Sequence, residues 1–188
     1  LNHRSADSKF DLNASVKYIA DLSNLIPTDV TQFYNTPPNF PVYDDAGKYY
    51  WTRSGQNPMA LFEQTYESQT KNLFGNVLAK YAILPNLNVQ ASLGYNRMPM
   101  SQTQMLTEKS FNPINYAGSQ GYYGNNDLNA YIIEPQLNYS KAIGKGTLQL
   151  MAGGTWQQST KIGQFLHGVG YPSDAQLINP RAAVSLIT

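Results

Sequence analysis

The sequence predicts an all-β fold: an antiparallel transmembrane β-barrel segment of about five to six long strands. Three observations carry that prediction. Apolar and polar residues alternate with period two over long stretches, which a strand with one apolar face requires and a helix would scatter. Only 13% of the 188 residues are charged, half of what soluble domains carry, and Asn, Gln, Ser and Thr supply the polarity instead. Short and long connections alternate between the strands. Soluble strands peak near 5–6 residues. These run to roughly 11–15, enough for the 9–11 a tilted strand needs to cross a bilayer core.

The first strand spans about 8–20, where Phe10, Leu12, Ala14, Val16 and Tyr18 alternate with Asp11, Asn13, Ser15 and Lys17. The second spans about 70–84. Leu73, Val77, Ala79, Tyr81 and Ile83 share a row, but Phe74 and Leu78 interrupt the polar row, so the alternation is imperfect. Pro85-Asn86 closes a tight turn into the third, about 86–98, with Leu87, Val89, Ala91, Leu93 and Tyr95 in one row. The fourth spans about 129–143, with Tyr131, Ile133, Leu137 and Tyr139 in a row that also holds Pro135. A proline cannot donate to a ladder, so an irregularity is expected there. After Gly144-Lys145-Gly146 the fifth runs over about 147–160, with Leu148, Leu150, Ala152 and Trp156 in one row. A sixth begins near Ala182, over about 182–188. The long connections are 21–69, 99–128 and 161–181. Leu1 to Arg4 show neither the apolar run nor the cleavage site of a signal peptide.

Aromatics bracket the apolar rows. Phe10 and Tyr18 stand eight residues apart on one row, as do Tyr131 and Tyr139. At about 3.3 Å rise and 40° tilt this covers about 20 Å of membrane normal, near the apolar band between two aromatic girdles. Tyr81, Tyr95 and Trp156 join the same membrane-interface set. Short turns then face the periplasm and long loops the exterior. The strands starting at Ser8, Asn86 and Thr147 run outward, the others inward, and the amide-rich row lines a hydrated lumen. The same alternation also suits a soluble β-sandwich, with the aromatics as cross-strand pairs.

Near-zero net charge (+1) without a basic block excludes a nucleic-acid footprint. Zero cysteine excludes disulfides and thiolate chemistry. His3 and His167 have no partner at metal-ligand spacing, and no catalytic nucleophile, cofactor motif or metal set stands out. Tyr43-Asp44-Asp45-Ala46-Gly47 is compatible with a calcium loop but lacks further oxygen ligands, and reads as an Asp/Gly turn. Tyr49, Tyr50, Trp51, Tyr122 and Tyr123 fall in the long loops, where aromatic faces suit contact with cargo or a covering protein, or packing of the loops themselves. Arg53 is expected in solvent. Glu134 falls on the lumenal row, where a cationic partner is expected.

Several stretches, two in the first long loop and three on strands, carry a further pattern. They are Pro37-Pro38-Asn39-Phe40-Pro41-Val42-Tyr43-Asp44-Asp45-Ala46-Gly47-Lys48-Tyr49-Tyr50-Trp51, then Asn57-Pro58-Met59-Ala60, Asn72-Leu73-Phe74-Gly75-Asn76, Gly94-Tyr95-Asn96 and Ile133-Glu134-Pro135-Gln136-Leu137-Asn138-Tyr139. In this order they resemble the barrel of SusC/RagA-type TonB-linked outer-membrane transporters (TonB-dependent receptors), over nearly the whole chain. The resemblance implies a barrel of about 22 strands, of which residues 1–188 form an internal part without the plug domain. It also implies a SusD-like surface lipoprotein, TonB engaged through the absent plug region, outer-membrane lipid around the wall, and oligosaccharide or peptide cargo. Transport in a Gram-negative outer membrane, not catalysis, is the function so implied. The alternatives are a soluble β-sandwich carbohydrate-binding module and, disfavoured by strand number, a small porin or barrel enzyme.

Overall fold

The computed structural model describes residues 1–53, 55, 57–115 and 118–188; Ser54, Gln56, Tyr116 and Ala117, in the loops expected at 21–69 and 99–128, lie outside the described residues. The fold is all-β. Eight strands form one antiparallel sheet: β1 Asn2–Arg4, β2 Phe10–Leu25, β3 Gln64–Leu84, β4 Leu87–Leu106, β5 Gln120–Ile143, β6 Gly146–Gly153, β7 Trp156–Val169 and β8 Ser185–Ile187. Their order is β1-β2-β3-β4-β5-β7-β8, with β6 also on β5, and the sheet is not closed. Short 3-10 turns supply the rest of the regular structure, with no α-helix among the described residues.

The strands exceed the sequence expectation at their polar ends. β3 begins at Gln64, β4 continues to Leu106 and β5 begins at Gln120. These extensions have no apolar alternation, yet their backbones still pair, because ladder hydrogen bonds do not depend on side-chain polarity. β1, only three residues long, pairs His3 with Leu12 in a stretch that has no apolar signal. The last strand starts at Ser185 rather than near Ala182, because Pro180–Ala182 form a 3-10 turn that Asn179 caps by accepting from the Arg181 amide.

The strand expected over 147–160 is two strands, and Pro135 explains the break. Gln136 pairs with Gly153, so the next residue on the partner side faces Pro135. Gly154 still donates to the Pro135 carbonyl at 3.1 Å, but Pro135 has no amide to return a bond. The irregularity expected at Pro135 therefore falls on the neighbouring chain, between β6 and β7. The β5–β6 turn opens with Gly144 at φ +58°, the left-handed region that glycine occupies without a Cβ penalty.

The chain divides into two compact units. The first comprises Leu1–Ala20, Lys71–Pro99 and Asp127–Ile162. Not one of its residues is buried. Val16 is 77% exposed, Tyr18 61% and Trp156 63%. Here β4, β5 and β6 share one orientation of their rows. Gln90 donates to Gln136 at 2.6 Å, Gln136 to Asn138 at 2.9 Å and Asn138 to Asn88 at 3.1 Å. Alternation then places Leu87, Val89, Ala91, Leu93 and Tyr95 together with Ile133, Leu137 and Tyr139 on the other face. The β5–β6 register adds Leu148, Leu150 and Ala152 to that face. A two-sheet sandwich would bury this row; here it covers one side of a single layer, with nothing packed over it among the described residues.

The second unit comprises Asp21–Thr70, Met100–Asn126 and Gly163–Thr188. It holds every buried residue. Its apolar core is small: Tyr123, Tyr171 and Leu177, with Met105, Leu166, Ala182 and Ala183 packed around them. The Tyr123 hydroxyl meets the Tyr171 hydroxyl at 2.9 Å and donates to the Leu177 carbonyl.

The close approach at Pro135 predicts a selective glycine effect. A Cβ on Gly153 would stand 2.9 Å from the Pro135 carbonyl oxygen, whereas one on Gly154 meets nothing within 4 Å. Gly153→Ala should destabilise the protein by about 1–3 kcal/mol, and Gly154→Ala by less than about 0.5 kcal/mol. Urea unfolding in detergent micelles measures both.

Candidate functional site

The second unit gathers several of its loops around a cleft. The first wall is a hairpin. Asp44 opens its turn: its carboxylate accepts the Ala46 and Lys48 amides, both at 2.9 Å, and Gly47 supplies φ +76°. The Asp44 oxygen is thus occupied by backbone, the Asp/Gly turn anticipated as the alternative to a calcium loop. Tyr43 and Tyr49 face each other across this hairpin, their rings stacked at 5.5 Å. The Tyr49 hydroxyl donates to Glu63 Oε1 at 2.7 Å.

Buried asparagines pin the loops. Asn57, fully buried, donates to the carbonyls of Val42 (2.7 Å) and Tyr50 (3.0 Å) and accepts from the Met59 amide. Asn112 donates to the carbonyls of Thr52 (2.8 Å) and Gly55 (3.3 Å), tying the loop after β4 to the loop before β3. Asp174 accepts the Glu108 amide at 3.0 Å and the Ser119 hydroxyl, which brings in the segment after β7. The resulting cleft has a volume of about 630 Å³. Tyr43, Tyr49, Trp51 and Phe111 give it aromatic walls; Glu63, Glu108 and Asp174 give it carboxylates, and Lys48 and Lys109 line it beside them. The arrangement gathers aromatic rings, carboxylates and two lysines around one space.

The aromatic residues singled out by sequence divide among different places. Tyr49 and Trp51 line the cleft. Tyr50 stands edge-on to Phe40 at 6.1 Å. Tyr122 stacks on His167 at 4.2 Å, beside Phe165 at 6.2 Å, and its hydroxyl bonds Gln120, which also meets His167 Nε2 at 3.0 Å. His167 is therefore part of an aromatic stack. Tyr123, 7% exposed, belongs to the core and presents no surface for a ligand.

In the first unit Tyr131 and Trp156 meet edge-on at 6.1 Å, and the Tyr131 hydroxyl donates to Gln158 at 2.6 Å. Phe10 lies 6.4 Å from His3, while Tyr18, Tyr81 and Tyr95 are exposed and Tyr139 half-buried. Glu134, expected to bond a lumenal cation, is exposed. The ion pairs among the described residues are Arg4–Asp11 and Arg97–Asp127, so Glu134 lacks that partner. An open amide-lined face gives it water instead. Arg53 is exposed, as expected.

The cleft contributes a titration that can be followed. The Glu63 carboxylate accepting its proton, together with partial burial, pushes the Tyr49 phenol up to about 12 from 10.0. The raised value favours the neutral phenol in the folded state. Its contribution to stability is complete below pH 10 and is lost as pH rises through about 12. Glu63→Gln should return one phenolate transition toward pH 10, seen as an ultraviolet difference titration against the parent protein.

No family model matches the chain. The chain is similar to the TonB-dependent receptor SusC of Bacteroides thetaiotaomicron, 33% identical over 131 residues, which is 65% of this chain and 12% of that protein. The match thus spans about an eighth of the length of the curated relative. The open antiparallel sheet fits a piece of a β-barrel.

Proposed function

We propose that residues 1–188 form part of the barrel wall of a TonB-dependent outer-membrane transporter in a Gram-negative bacterium, importing oligosaccharides or oligopeptides with a SusD-like surface lipoprotein. The observation that carries this reading is the single-layer sheet of the first unit, with a continuous apolar row uncovered on one side and a bonded amide row on the other. In water such a face would aggregate. In a bilayer the apolar row meets lipid, the girdle residues Phe10, Tyr18, Tyr81, Tyr95, Tyr131, Tyr139 and Trp156 meet headgroups, and the amide row meets a hydrated lumen. The similarity to SusC supports the same reading over the matched residues.

The role is transport rather than catalysis. The wall supplies lumenal amides, and the loops supply the aromatic cleft as a place for cargo or the lipoprotein, with Tyr49 and Trp51 as its contact aromatics. TonB acts through a plug that belongs to other residues of the transporter. Further strands would pair along β2 on one side and along β6 and β7 on the other, since an open edge cannot face hydrocarbon.

The reading predicts a face-dependent cost of charge. Ala91 is central to the apolar row of β4, and Ser92 follows on the amide face. Ala91→Arg should destabilise the protein in lipid vesicles by about 2–4 kcal/mol, the depth-dependent cost of a lipid-facing cation. Ser92→Arg should cost under about 1 kcal/mol, because its charge stays in water. Equal costs at the two sites would remove the membrane reading.

A further inference from the structure

The break opposite Pro135 leaves hydrogen-bond acceptors unpaired on the first unit. A closely spaced pair in an antiparallel ladder exchanges two bonds. Gly154 donates to the Pro135 carbonyl at 3.1 Å, but the return bond needs an amide hydrogen that proline lacks. The Gly154 carbonyl therefore accepts from no donor among the described residues. Gln90 holds a second such acceptor. Its Nε2 donates to Gln136, Gln136 to Asn138 and Asn138 to Asn88, so the amides form a one-way chain with Gln90 at its head. Gln90 Oε1 accepts from none of the described residues, and a bond made to it would be reinforced by the bonds that follow. The Glu134 carboxylate is the third: it is exposed and takes no part in the ion pairs among the described residues.

These three groups border one hollow of about 400 Å³, with Ser92, Met151 and Thr155 beside them. That volume lies in the range of small-molecule sites. No lysine or arginine lines the hollow, so no cationic side chain competes for the acceptors. The Ser92 and Thr155 hydroxyls can turn to donate or to accept. Met151, 72% exposed, adds an apolar edge. Pro135 stands midway between Tyr131 and Tyr139 on its row, which puts the break at mid-depth of the proposed wall. Lipid has no donor to give there, so donors have to come from the lumen. A peptide brings one amide donor per residue, and its carboxylate is repelled by Glu134. A saccharide brings neighbouring hydroxyls on a rigid ring, with C–H groups for Met151. We propose that the hollow beside Pro135 binds a neutral saccharide, whose hydroxyls donate to Gln90 Oε1, the Glu134 carboxylate and the Gly154 carbonyl. The proposal rests on the transporter reading for the lumen and names the cargo chemistry that this part of the wall selects.

The Met151 methyl group is a local reporter. The test is a nuclear magnetic resonance titration of the intact protein in detergent, with isotope-labelled methionine methyl groups and Met151→Leu to identify the signal. The probes are maltotetraose and cellotetraose, each beside its per-O-methylated form, and an alanine tetrapeptide blocked at both ends. At least one free tetramer should shift the Met151 signal saturably. It should bind about tenfold tighter or more than its methylated form, which keeps the rings and loses every donor. Pro135→Ala supplies the missing amide hydrogen and Glu134→Ala removes an acceptor. Each should weaken binding about threefold or more, the scale of one net hydrogen bond. If Pro135→Ala loses its circular dichroism signature, Glu134→Ala alone carries the comparison. No saturable shift with either tetramer, equal binding of the methylated forms or the peptide, or an affinity that survives the variants would overturn the proposal. None of those results touches the transporter reading, which stands or falls on the cost of Ala91→Arg.

Discussion

An antiparallel ladder satisfies its own backbone but leaves its side chains two faces to account for. In the first unit nothing packs on either face, and every other feature there follows from that constraint. The apolar row of β4, β5 and β6 has no second layer among the described residues, and in the proposed reading lipid takes that place. The opposite row meets a different demand. Asn88, Gln90, Gln136 and Asn138 bond one another in series, which orders a polar face without charge. In the proposed barrel-wall reading, low charge in the sequence is the compositional trace of this division: amides pair along a wall and are still wetted, whereas isolated charges on a lipid side would be costly.

The second unit meets the opposite problem, long loops with little apolar material to bury. Its core contains few residues, and two of them are tyrosines bonded to each other. Order in the loops comes instead from side-chain amides that satisfy loop carbonyls. Asn57 closes the hairpin segment on itself, and Asn112 joins it to the loop after β4. Removing such a partner would leave part-buried loop carbonyls without their donor. The cleft is the by-product of that pinning: three segments distant in sequence are held apart at one place and joined at another.

Much of the sheet was legible in the sequence, and the reasons are local. Period-two rows such as Phe10 to Tyr18, Leu87 to Tyr95 and Tyr131 to Tyr139 identify strands because alternation is a property of the extended chain itself. The extensions Gln64 to Gln69 and Gln120 to Leu128 escaped, since neither carries a period-two apolar row and ladder pairing itself leaves no mark on side chains. The effect of Pro135 was foreseeable; its appearance on the facing strand needed the register Gln136 to Gly153. In the loops, aromatic residues marked the cleft through Tyr49 and Trp51. Their carboxylate partners depended on contacts no spacing reveals, such as Glu108 with Asp174, 66 residues apart. Tyr122 and Tyr123 looked equivalent as a loop dipeptide. Once β5 starts at Gln120 they are strand neighbours on opposite faces, one in an aromatic stack and the other in the core.

The most direct test of the account concerns the two faces of β4. Spin labels placed singly at Val89, Gln90, Ser92 and Leu93 of the intact protein in lipid vesicles report exposure to oxygen, which concentrates in lipid, and to a water-soluble nickel chelate. The account predicts alternation: Val89 and Leu93 relaxed chiefly by oxygen, Gln90 and Ser92 chiefly by the chelate. Shielding of Val89 and Leu93 from both reagents, as in a core between two sheets, would contradict it.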